Sequence, residues 1–437
     1  MLAILAACGT SVKPTARPQA QPPATAAPGL PPASLPPPDQ VPPPGATELT
    51  LGLTPPALGG PARVALLLPL SGPQAGIGRM LLDAAHLAML ETGSEDIVLL
   101  PRDTESRPER AAEAAREAMA AGAGLVVGPL LAAEVRAVGE VARPAGIPVI
   151  GFSTDRSVAG DGVYLIGFTP EEQITQVVRF AATRDITRFA ALVPETPYGE
   201  ATLAAYRQAI ADAAATLVQT ETYAPGTPDL TPVVKRLAAY DRRHAELQRV
   251  KRELAARGDD EAQRELRRIA RADTYGEVGY QAVLLPEGGQ ALRNLAPLLP
   301  YYDIDPAEVR FLGTGLWDEP GLGKEPALVG GWFAGVPPDL ADAFARRFEQ
   351  AFGRRPPRIA SLAYDAVALA TVLAKSRRAD AFSPTALENP DGFAGFNGIF
   401  RLRPNGVAER GLAILEVTPT GFRVVQPPPQ SFQQIGQ

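Results

Sequence analysis

From Ala62 onward the chain alternates short apolar runs with Ala-rich segments, and this alternation limits the fold more than any other feature. Arg63-Val64-Ala65-Leu66-Leu67-Leu68-Pro69-Leu70 is apolar throughout after its first residue, without polar alternates, as a strand covered on both faces requires. Ser71-Gly72-Pro73 breaks the run, and Gly76-Ile77-Gly78 leads into a helix-forming stretch over 79–92. Further strands are predicted at 97–100, 125–129 and 147–150, with helices at 108–122 and 132–142 between them. Strand and helix spaced in this way predict βαβ units and a parallel sheet.

A second series follows. Thr169-Pro170-Glu171-Glu172 has the Thr…Glu spacing of a capping box and opens a helix to Thr183. A strand at 189–193, a helix at 198–214 and strands at 283–286 and 311–313 complete a lobe long enough to bury its own core. A strand at 331–335 and helices at 338–352 and 361–374 come next. Phe396–Leu402 and Gly411–Val417 flank the turn signal Pro404-Asn405-Gly406 and read as a strand pair. The tail from Pro427 is irregular.

Within the second series, Lys235 to Asp273 carries 12 Lys/Arg and 8 Asp/Glu. Leu237, Tyr240, His244, Leu247, Val250 and Leu254 recur three or four residues apart, a narrow apolar stripe on a charged helix. Gly258-Asp259-Asp260 interrupts it, and Leu266 and Ile269 resume it. The pattern predicts a helical hairpin projecting from the lobe, either a solvated elaboration or a protein-contact element.

The first 61 residues have a different character. Leu5-Ala6-Ala7-Cys8 ends a short apolar run and is similar to a bacterial lipobox, in which the cysteine is lipidated. That run is far shorter than the roughly 20 apolar residues of a membrane span. No basic segment precedes it, which leaves the true start of the chain open. Residues 9–61 are rich in Pro and Ala, including Pro36-Pro37-Pro38 and Pro42-Pro43-Pro44, and read as a semi-rigid polyproline II tether behind the anchor.

Composition removes several function classes. The net charge of −6 offers no basic excess for nucleic acid. One cysteine, Cys8, and two distant histidines, His86 and His244, leave no material for a disulfide, a Cys/His metal site or a Ser/His/Asp triad. Gly76-Ile77-Gly78 lacks the third glycine of a dinucleotide fingerprint, which would fall at Leu81. Neither a phosphate-binding Gly-x-x-x-x-Gly-Lys loop nor a Gly-x-Ser-x-Gly elbow occurs. No catalytic residue, metal or cofactor is expected.

Over residues 62–425 the ordered motifs resemble the type I, leucine/isoleucine/valine-type periplasmic binding proteins. The motifs are Leu68-Pro69-Leu70-Ser71-Gly72, Val127-Gly128-Pro129, Gly146-Ile147-Pro148, Pro197-Tyr198-Gly199, Tyr364-Asp365-Ala366, Phe396-Asn397-Gly398 and Asn405-Gly406. The resemblance implies an α/β protein of two Rossmann-like lobes joined by crossover hinges. Lobe 1 is expected at 62–168 and 317–397, and lobe 2 at 169–316 and 398–425, with a tail at 426–437. The lipobox, the tether and the charged insertion make the chain most similar to the LppC-type penicillin-binding protein activator lipoproteins. That likeness implies an outer-membrane anchor and a bifunctional peptidoglycan synthase as partner. The alternative is a receptor that delivers branched-chain amino acids or related small polar ligands to an ABC permease.

In such folds ligands bind between the lobes, outside the carboxyl ends of the strands. Ser71, Gly72, Ala132, Ser153, Thr154, Tyr198 and Glu287 are the candidate cleft residues. Bland roles compete for several of them: turns or caps for Ser71, Ser153 and Thr154, lobe packing for Tyr198, a solvated turn for Glu287. In the family a Ser after the third strand holds the ligand carboxylate. Here Leu130-Leu131-Ala132-Ala133 has no hydroxyl, and Asp155 follows Thr154 where Ser or Thr is common. These departures weigh against a free amino acid as ligand, since a nearby anion repels a carboxylate.

Overall fold

The structure, a computed structural model, describes residues 60–93 and 95–433. Cys8 and nearly all of the Pro-rich tether, residues 9–59, lie outside the described residues.

Five parallel strands form the first sheet: β1 (Ala62–Leu68), β2 (Ile97–Asp103), β3 (Ala123–Val127), β4 (Val149–Gly151) and β5 (Val163–Leu165), in the order β2-β1-β3-β4-β5. The connecting helices are α1 (Ala75–Thr92), α2 (Pro108–Ala120) and α3 (Ala132–Ala142). The apolar run of β1 is explained by its two covered faces. Val64, Leu66 and Leu68 join one buried cluster with α1, while Ala65 and Leu67 join another with α2 and α3.

The chain then enters a second lobe with α4 (Pro170–Ala182), β6 (Arg188–Pro194), α5 (Pro197–Asp212), β7 (Thr216–Tyr223) and α6 (Thr231–Leu237). Thr169 precedes α4 in extended backbone, but its side chain does not cap the helix as the Thr…Glu spacing suggests. The charged segment forms α7 (Tyr240–Arg257) and α8 (Asp260–Arg268), followed by β8 (Ala282–Leu284), α9 (Gly289–Leu295), α10 (Leu298–Tyr301), β9 (Arg310–Leu312) and β10 (Trp332–Gly335). Strand β6 repeats the logic of β1: Ala190 and Leu192 face one cluster, Phe189, Ala191 and Val193 the other.

Helices α11 (Pro338–Phe352), α12 (Ala360–Ala374) and α13 (Pro384–Leu387) return to the first lobe, where Phe344, Phe348 and most of α12 join the β1 cluster. A small antiparallel sheet follows, made of β11 (Phe393–Gly395), β12 (Gly398–Leu402) and β13 (Ala408–Arg410). Finally β14 (Ala413–Thr418) and β15 (Gly421–Gln426) complete a seven-stranded sheet in the order β15-β14-β10-β9-β8-β6-β7.

Two expectations about lobe boundaries and pairing are corrected. Trp332–Gly335, expected in lobe 1 within 317–397, pairs with β9 and β14 and so lies in the second lobe's sheet. Trp317, Leu322 and Leu328 before it are buried in the second lobe's core. Phe396–Leu402 and Gly411–Val417 do not pair with each other. Strand β12 pairs with β13 across the Asn405-Gly406 turn, and Phe400, Leu402 and Ala408 pack into the first lobe, although 398–425 is expected in the second. Strand β14 instead runs antiparallel to β10. The chain therefore changes lobe near 168–170, 335–338 and 410–413.

Candidate functional site

The carboxyl ends of both parallel sheets face each other, and ion pairs bridge them. Arg156, after β4, lies 3.7 Å from Glu171 at the start of α4. Arg358, before α12, lies 2.6 Å from Asp318, which follows β9.

The first wall is organised by Asp103 at the end of β2. Its Oδ1 accepts the backbone N–H groups of Leu70 at 2.9 Å, Ser71 at 3.1 Å and Glu105 at 2.8 Å. Burial raises the Asp103 pKa, but the Ser71 hydroxyl and these N–H groups outweigh it and leave the acid below its ordinary value. Gly72 has φ +77°, and a Cβ there would meet Glu105 O at 2.7 Å, so the loop requires glycine. Gly72 thus fixes the loop after β1, with Ser71 engaged by Asp103.

Ala132 opens α3, whose Glu134 accepts the Leu131 N–H at 3.1 Å. Ser153 is buried and its Oγ accepts Asp155 N–H at 3.1 Å. Asp155 in turn accepts Ser157 N–H at 2.9 Å, so its carboxylate caps a short turn. Thr154 is exposed.

The second wall brings Tyr198 and Glu287 together with Thr314 and Tyr223, two residues that the sequence pattern did not single out. The Thr196 hydroxyl caps α5 by accepting Gly199 N–H at 3.0 Å. A Cβ at Gly199 would lie 2.0 Å from Pro194 O, so only glycine lets this first turn sit on the end of β6. Tyr198 then reaches Thr314, donating its hydroxyl to Oγ1 at 2.8 Å. Tyr223 donates to Glu287 Oε2 at 2.8 Å. Burial raises both phenol pKa values, with the Glu287 carboxylate adding to it at Tyr223, so both hydroxyls stay neutral. Thr314 directly follows a predicted strand, a position from which it could have been named. Tyr223 ends β7, whose half-polar sequence hid the strand.

Arg410 lies where the chain changes lobe. It is fully buried, donates Nη2 to Ile166 O at 2.6 Å and lies over Phe168 and Phe400 at 4.6 and 5.3 Å. Its backbone N–H donates to Glu172 of α4. Asp365 nearby accepts Phe396 N–H at 2.9 Å and Asn397 Nδ2 at 2.8 Å.

A cavity of about 590 Å³ lined by Arg63, Gly122, Pro148 and Phe382 lies at the opposite edge of the first sheet, where the strands begin. Among the described residues, no group of three His, Cys, Asp or Glu is placed to hold a metal ion. No helix among them is long and apolar enough to cross a membrane.

Two lobes, one on a parallel sheet and one on a mixed, largely parallel sheet, with three crossings between them, define a type I binding-protein fold. A family model described as periplasmic binding protein matches residues 61–421, and the chain belongs to that family. The family is extracytoplasmic and its members are generally ligand binders rather than enzymes. Among solved structures, a protein described as a branched-chain amino acid ABC transporter from Rhodospirillum rubrum is 19% identical, with a TM-score of 0.66, over 84% of this chain and 100% of that one. An ABC transporter substrate-binding protein from Sphaerobacter thermophilus is 17% identical, with a TM-score of 0.61, over 84% and 97%. The isoleucine complex of LivJ from Streptococcus pneumoniae is 16% identical, with a TM-score of 0.55, over 84% and 100%. At such identities the likeness is one of fold. A comparison with curated protein sequences gave no match.

Proposed function

We propose that the chain is a non-enzymatic receptor for a small amine-bearing polar ligand, working with an ABC permease. The carrying observation is Glu287, held by the neutral Tyr223 hydroxyl beside the Tyr198–Thr314 pair. A carboxylate flanked by neutral hydroxyls favours an ammonium group. The opposite wall has no hydroxyl at Ala132, so the ligand's recognition is centred on its amine. Calorimetry on the full chain with a panel of primary amines and amino acids tests this. Glu287→Gln should weaken the best ligand at least tenfold; unchanged affinity overturns the reading.

A second reading, regulation of a bifunctional peptidoglycan synthase, is favoured by the α7–α8 hairpin, which stands apart from the cleft with its own small core. Stimulation of a purified synthase by the full chain would support it. Either reading fits lipidation at Cys8, where two or more acyl chains give stable membrane attachment and one is marginal. Cys8→Ala should release the protein from the membrane fraction, and continued sedimentation with membranes would refute lipidation.

A further inference from the structure

The hairpin is built more rigidly than a solvated loop needs. Leu247, Leu254, Ala262 and Ile269 are buried together, with Val250, Leu266, Ala272 and Tyr275 packed around them. Its base is fixed by Arg243, buried, which donates Nε and Nη2 to Gly276 O at 3.0 and 2.6 Å. His244 Nδ1 lies 2.7 Å from Asp273 O.

The apolar side of α8 faces α7, and its outward side carries exposed arginines among acids, of which Asp259 and Glu261 are paired with Arg257 and Glu265 with Arg268. Arg264, Arg267 and Arg268 recur at spacings of three and four on α8, and Arg271 lies just beyond its C-terminal end. Arg268 pairs with Glu265, whereas no ion pair is found for Arg264, Arg267 or Arg271 among the described residues. Residues 235–273 hold an excess of four positive charges on a chain of net −6.

We propose that the face of Arg264, Arg267, Arg268 and Arg271 docks the chain onto an acidic protein surface. Guanidinium groups on a preorganised hairpin match carboxylates in forked geometry. A lipid surface fits less well. Interfacial helices submerge an apolar face, and that of α8 is already spent on α7. Acidic residues Asp259, Asp260, Glu261 and Glu265 are also interspersed with the arginines, which an anionic membrane repels and a protein of mixed charge can match.

The inference extends the second reading by naming its contact surface, and the two fail separately. The test places p-benzoylphenylalanine at Arg271 in the full chain in cells, with a control at Val372, which is 54% exposed on α12 of the other lobe. After irradiation, mass spectrometry should find one partner, cross-linked within a net-acidic segment, from position 271 and not from 372. Combining Arg264→Ser, Arg267→Ser and Arg268→Ser should lower the yield at least fivefold, while the three Lys substitutions, which keep the charge and lose the fork, should fall between wild type and the Ser variant. The melting midpoint of each variant shows that folding is unchanged. No cross-link, a non-acidic segment or insensitivity to the Ser substitutions overturns the proposal. So does Arg-dependent sedimentation with phosphatidylglycerol vesicles, which would assign the face to a membrane. A synthase stimulated equally by wild type and the Ser variant removes the docking face but not the second reading.

Discussion

Arg358 Nη2 lies 2.6 Å from Asp318 Oδ1, and the two residues belong to different lobes. Asp318 is largely buried, and burial raises its pKa despite the opposing charge of Arg358. The pair closes one side of the cleft while Arg156 and Glu171 span it elsewhere. Arg358 is half-exposed, so the pair is worth ~1 kcal/mol at most. Arg358→Ala should therefore shift a closed–open equilibrium about fivefold toward open. Spin labels at the exposed Val372 and Val218, one on each lobe, would report a broadened and longer distance distribution. An unchanged distribution would show that the pair does not set lobe closure.

Glu172 gives the hinge a pH dependence of defined sign. Part of its stem is exposed, but Oε2 has no solvent contact and Oε1 accepts the Arg410 N–H. Burial pushes the acid up from 4.5 to about 8, against the Arg410 N–H and charge, while Glu409 adds to the rise. The folded pKa lies above the unfolded one. The associated stability is full below the unfolded pKa of 4.5 and is lost as pH rises through about 8. One proton limits the slope to ~1.4 kcal/mol per pH unit. Glu172→Gln should flatten the melting midpoint between pH 5 and 8 and exceed wild type at pH 8. Equal slopes in both proteins would assign the effect to another acid, such as Asp365, whose pKa burial also raises.

How far sequence alone reaches depends on local pattern. Strands buried on both faces, such as β1 and β6, carry continuous apolar runs and were legible to within a few residues. Strand β7, Thr-Leu-Val-Gln-Thr-Glu-Thr-Tyr, lies at the sheet edge with mostly half-buried or exposed residues, so no such run marks it. Lobe membership of β10 was illegible because only pairing with β9 and β14 decides it. Tyr198 and Glu287 stand out in the sequence, whereas their hydrogen-bond partners Thr314 and Tyr223 come from remote segments.

The cleft should discriminate against branched-chain amino acids. Ala132 supplies no hydroxyl, and the Ser71 hydroxyl is engaged with Asp103. Leucine, isoleucine and valine should bind weakly or not at all in calorimetry. Micromolar affinity for any of them would show that a carboxylate is held by groups other than these. Tyr198→Phe should leave the fold intact, since Thr314 Oγ1 also accepts Leu316 N–H at 3.3 Å, and should weaken an amine ligand several-fold.

The hairpin should be separable from the lobe only beyond its base. Tyr240 packs against the second lobe's core, and Arg243 ties α7 to Gly276, Ala238 and Asp303 through their carbonyl oxygens. A cut that replaced all of 240–273 would remove these anchors with the hairpin. Replacing 246–271 by a short Gly/Ser linker spares them and should leave cooperative melting with a midpoint within a few degrees of wild type. Arg243→Ala, by contrast, leaves buried carbonyl oxygens without their donor, at a cost of about 1–3 kcal/mol. Arg249→Ala removes only exposed pairs with Glu246 and Glu253 and should not move the midpoint measurably. Differential scanning calorimetry on the three variants orders them. Loss of cooperativity in the 246–271 replacement would mean that Leu247, Leu254 and Ile269 are part of the lobe core rather than a separate one.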